Sequence, residues 1–501
     1  MKKNSLKSLV SGASGDSFFL IFVRMVTLIC SLLITRVLSG HFSLEEYGTY
    51  SQVMLLVTFI SSVTIFGMMD GVNFFFCREK DEERRSSYIS TIFFLQYLLS
   101  TIVALAVLAC TVPIAKYFDN EKLKSLLIFA AVLPVLQNTI SLLQIMFIAI
   151  GKAKMIAIRN LLVSAAKLLA IALACFVFDD IVILLLCQVA VDAMQTLCFF
   201  AILRNKGHKI NVFHFDKKLV KEILQYCIPM AMFAVIKSLN RDADKFVISY
   251  FTNTETLAIY TNASKLLPFD IIMTSFCTVL LPYITRYIAD KKYENAQCLY
   301  KSFLELSCIS TVILAVGAIC VAPELIRFLY TQKYAEYAFA IIVFIIYTIV
   351  DVLSVLNITM ILSAAGKTKT ILFASLGTFF ANILLNIVLF SVMGEAGPAL
   401  ATLLVTLAQG VIFLSLSANE IKTKTWDLFD IKYIVFFVLQ TVACLCLAVV
   451  LRSFLLSKDV HYLVVMFVSY GAFVLVLFLC NGKRFFRCLQ AINKSKVGIS
   501  D

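Results

Sequence analysis

Runs of about twenty apolar residues recur along almost the whole chain, and no other feature restricts its fold so tightly. A bilayer core about 30 Å thick is crossed by roughly 20 residues of α-helix, since each residue adds about 1.5 Å. That ruler predicts spans at 17–39, 47–76, 88–112, 123–150, 155–177, 180–203, 222–251, 256–285, 302–322, 335–364, 369–392, 396–418, 432–454 and 460–481. In hydrocarbon every backbone N–H and C=O must bond internally, so such segments are helices. Composition agrees: 61% of the 501 residues are hydrophobic and 15% charged, against about 45–50% and 25% in soluble domains. The expected fold class is an all-α integral membrane protein of about fourteen transmembrane helices. No predicted connection exceeds about 25 residues, which argues against an enzyme with a catalytic domain outside the membrane.

The positive charge sets the orientation. Lys2, Lys3 and Lys7 precede the first apolar run, which is too long for a signal-peptide core and lacks a small-x-small cleavage site. It reads as a first span with its N-terminus inside. The connections on that side then hold Arg78, Lys80, Arg84 and Arg85; Lys152, Lys154 and Arg159; Arg204 to Lys221; Arg286 to Lys301; Lys367 and Lys369; Lys422 to Lys432; and a tail from Lys483 to Lys496. The opposite side holds only Lys116, Lys122, Lys124, Arg327, Lys333, Arg452 and Lys458. Both termini are therefore expected in the cytoplasm, and the net charge of +13 needs no nucleic-acid partner. Most of the fifteen cysteines lie inside apolar runs, there is no CxxC, and the four histidines lack metal-ligand spacing. Neither a metal nor a cofactor is indicated.

Two junctions repeat. Ile148-Ala-Ile-Gly-Lys-Ala-Lys-Met155 returns as Ser363-Ala-Ala-Gly-Lys-Thr-Lys-Thr370, and Leu44-Glu-Glu-Tyr-Gly-Thr-Tyr-Ser51 as Thr254-Glu-Thr-Leu-Ala-Ile-Tyr-Thr261. Gly151 aligns with Gly366 and Tyr50 with Tyr260, at offsets of 215 and 210 residues. The repeat unit is six spans. Because six is even the two copies are parallel, an arrangement found in transporters that alternate access to a midplane site. The expected organisation is a lobe at 1–204, a basic cytoplasmic linker at 205–221, a second lobe at 222–421, and two added helices with a basic tail at 422–501.

The seventh span is anomalous. Lys237-Ser-Leu-Asn-Arg-Asp-Ala-Asp-Lys245 puts five charges in nine residues, and as a loop it would leave flanks too short to span. At 100° per residue, Lys237, Asp244, Arg241 and Lys245 cover roughly a 100° arc, with Asn240 and Asp242 at its edges. Ile236, Leu239, Ala243 and Phe246 take the other face. A charge facing lipid costs about 2.5–3.5 kcal/mol, so the charged face is expected to line a hydrated cavity. Arg24, Lys167 and Lys265 add cations in other spans with no acid nearby in sequence. This surplus points to an anionic substrate, a phosphate or pyrophosphate, with ion pairing of Arg241 to Asp242 or Asp244 as the purely structural alternative. Asp70, Asp192, Asp270, Glu305 and Asp351 are isolated acids within spans and, with Asp244 of the charged stretch, are open to two readings: H⁺ or Na⁺ coupling, or interhelical hydrogen bonding. Pro229, Pro268 and Pro282 are expected to kink the seventh and eighth spans.

Arg36-Val-Leu38, Glu46-Tyr-Gly-Thr-Tyr-Ser51, Asn240-Arg-Asp-Ala-Asp-Lys-Phe246 and Ala258-Ile-Tyr-Thr-Asn-Ala-Ser-Lys265 resemble the Wzx-type O-antigen flippases. These form the polysaccharide branch of the multidrug/oligosaccharidyl-lipid/polysaccharide (MOP) superfamily, and the resemblance covers nearly the whole chain. It implies a V-shaped, MATE-like fold in the bacterial cytoplasmic (inner) membrane. It also implies flipping of undecaprenyl-pyrophosphate-linked oligosaccharides, with a polysaccharide polymerase and a chain-length regulator as partners. Carried over residue by residue, Arg24 and Lys265 would be gate-side cations, and Arg241 and Lys245 lumen cations. Ala258 stands where the family pattern has Gly. A peptidoglycan-precursor flippase shares the pyrophosphate and stays open. A cation-coupled drug exporter would want an acidic lumen, and a membrane polymerase or ligase a large periplasmic loop.

Overall fold

The computed structural model describes residues 44–117, 120–205, 215–252, 254–264, 268–329 and 337–497, and ahead of these 19–27 with scattered residues to 42. The described residues form helices and turns, without a strand. Twelve stretches among them are long and apolar enough to cross a membrane. One of these, Thr368–Glu420, holds two helices, Thr368–Met393 and Gly397–Glu420, folded back on one another through a 3₁₀ turn at Gly394–Ala396. The expected first span lies partly outside the described residues. Large apolar side chains such as Leu162, Leu197, Phe373, Leu439 and Leu479 are exposed on many helices. In water such a surface would drive aggregation; against acyl chains it is the solvated face.

The chain folds as two compact units, residues 16–231 and 232–501, and the helix Lys217–Phe251 carries it from one into the other. Each unit has its own apolar core. Val53, Leu126, Leu133 and Leu185 pack together in the first, and Ile248, Tyr260, Val343, Tyr347 and Ala399 in the second.

Several predicted spans are broken, each for a local reason. The span expected at 47–76 divides into Leu44–Thr64 and Met68–Arg78, because Gly67 takes φ +70 in the left-handed region. A Cβ on Gly67 would stand 2.5 Å from the Cys227 carbonyl oxygen, so this bend needs glycine twice over. The span expected at 123–150 breaks ahead of Pro134, which occupies the first turn of Leu133–Ala149. The span expected at 256–285 becomes Thr254–Ala263, a 3₁₀ turn Pro268–Asp270 and Ile271–Ala289. Pro229 and Pro282 stay inside helices. The C-terminal segment differs most: Tyr462–Val497 is one helix, so most of the expected basic tail is helical.

The repeat is visible in the backbone. Gly151 and Gly366 take φ +78 and +75. Gly151 N–H donates to the Ile148 carbonyl (2.8 Å) and Lys152 N–H to that of Phe147 (2.9 Å). Gly366 and Lys367 make the same pair of bonds to Ser363 (3.1 Å) and Leu362 (2.9 Å). Both are Schellman caps, which satisfy the last carbonyls of a helix and turn the chain. The helices Leu44–Thr64 and Thr254–Ala263 begin at positions separated by the Tyr50-to-Tyr260 offset.

Candidate functional site

The charged stretch lies inside the helix Lys217–Phe251, as its short flanks required. Lys237 and Arg241 are exposed, one turn apart. Arg241 Nη2 lies 3.4 Å from Ser238 Oγ, and among the described residues neither cation is ion-paired. Lys245, a further turn on, is half-buried and pairs with Asp242 Oδ1 at 2.5 Å. Asp244 takes other hydrogen-bond partners than Asp242 does. Asp244 is buried, its Oδ2 accepting hydrogen bonds from the phenols of Tyr260 (2.7 Å) and Tyr347. A helical wheel projects out height: Lys237 and Asp244 nearly coincide in angle yet stand about 10 Å apart along the axis. The neighbouring helices cover the level of Asp244 and leave that of Lys237 open. The expected apolar face divides as well, with Ile236 and Ala243 buried and Leu239 and Phe246 exposed.

Lys167 has an acid after all. Its Nζ lies 3.4 Å from Oδ1 of the buried Asp192 on the helix Ile181–Asn205. Gln195 Nε2 donates to the same carboxylate, and Arg159, expected in a cytoplasmic connection, donates to Gln195 and stacks 5.0 Å from the Phe199 ring. Gln188, one turn before Asp192 on the same helix, accepts from the Tyr50 phenol at 3.3 Å. These contacts are interhelical hydrogen bonding and ion pairing within the first unit. Asp70 sits in the first turn after the Gly67 bend, within electrostatic reach of Tyr226. Arg24 is half-buried, and the Thr27 hydroxyl donates to its carbonyl (2.9 Å). Lys265 lies outside the described residues.

In the second unit, Asp351 is buried near the end of Ala338–Ser354, close enough to Asp270 to interact electrostatically. Asp270 itself ends the 3₁₀ turn opened by Pro268. Glu305 is not isolated. The Arg484 guanidinium pairs with it and, at 2.9 Å, with Asp430, while lying 3.6 Å from the Tyr433 ring centroid. Arg452, expected in an outer connection, forms a two-point bridge to buried Glu324 at 2.7–3.0 Å. Sequence reasoning also passed over Asn382 and Asn386. Two amides one turn apart in an otherwise apolar helix were the available signal, since that spacing puts both on one face.

The fold and this distribution of charge define the class. The structure superposes on the Vibrio cholerae MATE transporter VcmN in its bent form with a TM-score of 0.67, at 12% identity, over 84% of this chain and 98% of that one. It superposes with a TM-score of 0.63, again at 12% identity, on a Pyrococcus furiosus MOP superfamily transporter, over 83% of this chain and 98% of that one. The chain is thus a multi-pass integral membrane protein with the fold of the MOP transporters. More narrowly, it belongs to the polysaccharide biosynthesis protein family, whose profile matches residues 33–339. It is also similar to the teichuronic acid biosynthesis protein TuaB of Bacillus subtilis (strain 168), 22% identical over 259 residues, 49% of this chain. That match spans 50% of the relative's length.

Proposed function

We propose that the protein flips a saccharide carried on a polyprenyl pyrophosphate, of the undecaprenyl class, from the cytoplasmic to the outer leaflet of the bacterial cytoplasmic membrane by alternating access. The observation that carries this reading is the pair Lys237 and Arg241, exposed and without an acidic partner among the described residues, deep within a spanning helix. Each would cost about 2.5–3.5 kcal/mol against lipid, so the pair requires water or an anion. Arg and Lys one turn apart suit a pyrophosphate, which offers several oxygens to a forked and a point donor. Membership in a polysaccharide family supplies the saccharide. The Pyrococcus transporter of like fold is described as having a binding pocket of reversed polarity that suggests a different function, a precedent for changing the cargo on this scaffold. In this scheme Arg24 and Lys265 keep the gate-side role that the resemblance implies.

Single replacement of Lys237 or Arg241 by Ala is expected to cut surface polysaccharide in the native host at least tenfold while the protein remains inserted at wild-type level. Arg241→Lys should retain part of the activity, because charge survives and the fork does not. Unchanged polysaccharide in both alanine variants would sink this reading.

A further inference from the structure

The only tryptophan in the chain, Trp426, is 74% exposed. It sits in a 3₁₀ turn, Thr425–Leu428, that joins the helices Gly397–Glu420 and Ile431–Leu456 on the side expected to be cytoplasmic. The turn is firmly held. Leu428 is buried, Asp427 N–H donates to the Lys424 carbonyl (3.0 Å), and Phe429 N–H donates to that of Trp426 (3.2 Å). From the helix Tyr293–Cys320, Lys301 Nζ donates to the Asp427 carbonyl at 3.0 Å and Gln297 Nε2 to that of Ile421 at 2.7 Å. A turn tied down in this way holds the indole out of the protein rather than leaving it loose.

Indole has an apolar body and a single N–H donor, so it favours the boundary between acyl chains and headgroups. The neighbours of Trp426 fit that boundary. Just beyond it, Ile431, Ile434, Val435 and Phe436 are exposed in the first turns of a spanning helix. Around it, Lys422, Lys424 and Lys432 are exposed. Lys422 Nζ stands 4.5 Å from the Tyr293 ring centroid, whereas Lys424 and Lys432 have no ion pair among the described residues. Lys432 lies in a first helical turn, where the dipole disfavours a cation that has no anion beside it. The local acids do not balance these lysines. Asp430 is taken by Arg484, and Asp427 alone leaves a positive surplus.

We propose that this turn binds the headgroup of an anionic phospholipid, with Lys424 and Lys432 on its phosphate and Trp426 at the level of its ester groups. A zwitterionic headgroup brings its own ammonium and offers little to two free lysines, while a net negative one neutralises the surplus. A soluble acidic partner fits less well, because the exposed patch runs on into the apolar face of a spanning helix. The site requires only that the protein spans a membrane, so it does not depend on what is transported.

Since Trp426 is the only tryptophan, its fluorescence reports on this turn alone. The full-length protein is placed in phosphatidylcholine nanodiscs containing a small, equal fraction of either brominated phosphatidylglycerol or brominated phosphatidylcholine. The brominated phosphatidylglycerol should quench about threefold more strongly, a preference that shrinks as salt is raised. The double variant Lys424→Gln, Lys432→Gln should lose the preference while keeping the wild-type emission maximum. Equal quenching of the wild-type protein by the two lipids would overturn the proposal, leaving a plain interfacial anchor. No quenching by either would place the indole in water and overturn it too. If the double variant does not reconstitute, the single variants and the salt series decide. A preference that survives both would overturn the assignment to these lysines.

Discussion

Gly67 shows how much one residue can decide. Its positive φ and its contact with the Cys227 carbonyl bend an apolar run that sequence alone would leave straight. Gly67→Ala must adopt a left-handed backbone and push a carbonyl aside, so it is expected to cost about 1–3 kcal/mol. Gly377 is the control: nothing lies within 4 Å of a Cβ built there, in the interior of Thr368–Met393. Gly377→Ala should stabilise by roughly 0.5–1 kcal/mol through helix propensity. Thermal melts in detergent check both, and a drop with Gly377→Ala would break the contrast. Neither glycine stands out in the sequence, because a lone Gly in an apolar run carries no periodic signal. Asp244 teaches the complementary lesson: the wheel gave its angle correctly but could not say at which height a neighbour would cover it.

Between elements, Arg484 ties three helices together. It sits on Tyr462–Val497, reaches Glu305 on Tyr293–Cys320, and reaches Asp430, which caps Ile431–Leu456 by accepting from Tyr433 N–H at 3.2 Å. Arg484→Ala should cost roughly 1–2 kcal/mol, less than breaking a fully buried pair, because both Arg484 and Glu305 keep about a fifth of their side-chain exposure. Asp430 gives this cluster a pH signature. Hydrogen bonding to the Arg484 guanidinium, then to the Tyr433 N–H, holds its carboxyl below the usual range. A depressed folded-state pKa means that the stabilisation is complete above the ordinary value near 3.9 and disappears as pH falls through the lowered one. The Tm gap between wild type and Asp430→Asn should therefore be constant above about pH 5 and close below about pH 4. A gap independent of pH across that range would rule out the ion pair as its source. Glu305 looked isolated in the sequence because its partner is 179 residues away, in what read as a soluble tail.

At the scale of the molecule, the two units carry matching turns, and their energetics should match too. Gly151→Ala and Gly366→Ala each force alanine into a left-handed cap and should each cost on the order of 1 kcal/mol. Because the two caps lie in separate units, the double variant should lose the sum within about 0.5 kcal/mol, as read from denaturation in mixed micelles. Strong non-additivity would mean that the caps are coupled. The repeat was legible in the sequence because a left-handed helix cap demands glycine and leaves a local signature. So were the membrane class and the placement of the charged stretch inside a helix, since length and hydropathy are summed over one contiguous segment. The pairing of charges was not. Lys167 with Asp192, Arg484 with Glu305, Arg452 with Glu324, and Asp244 with two tyrosines each depend on which helices adjoin and at what height their residues meet. A stretch of sequence fixes a side chain's angle about its own helix. The register between helices distant in sequence fixes its partner, and only the packed structure sets that register.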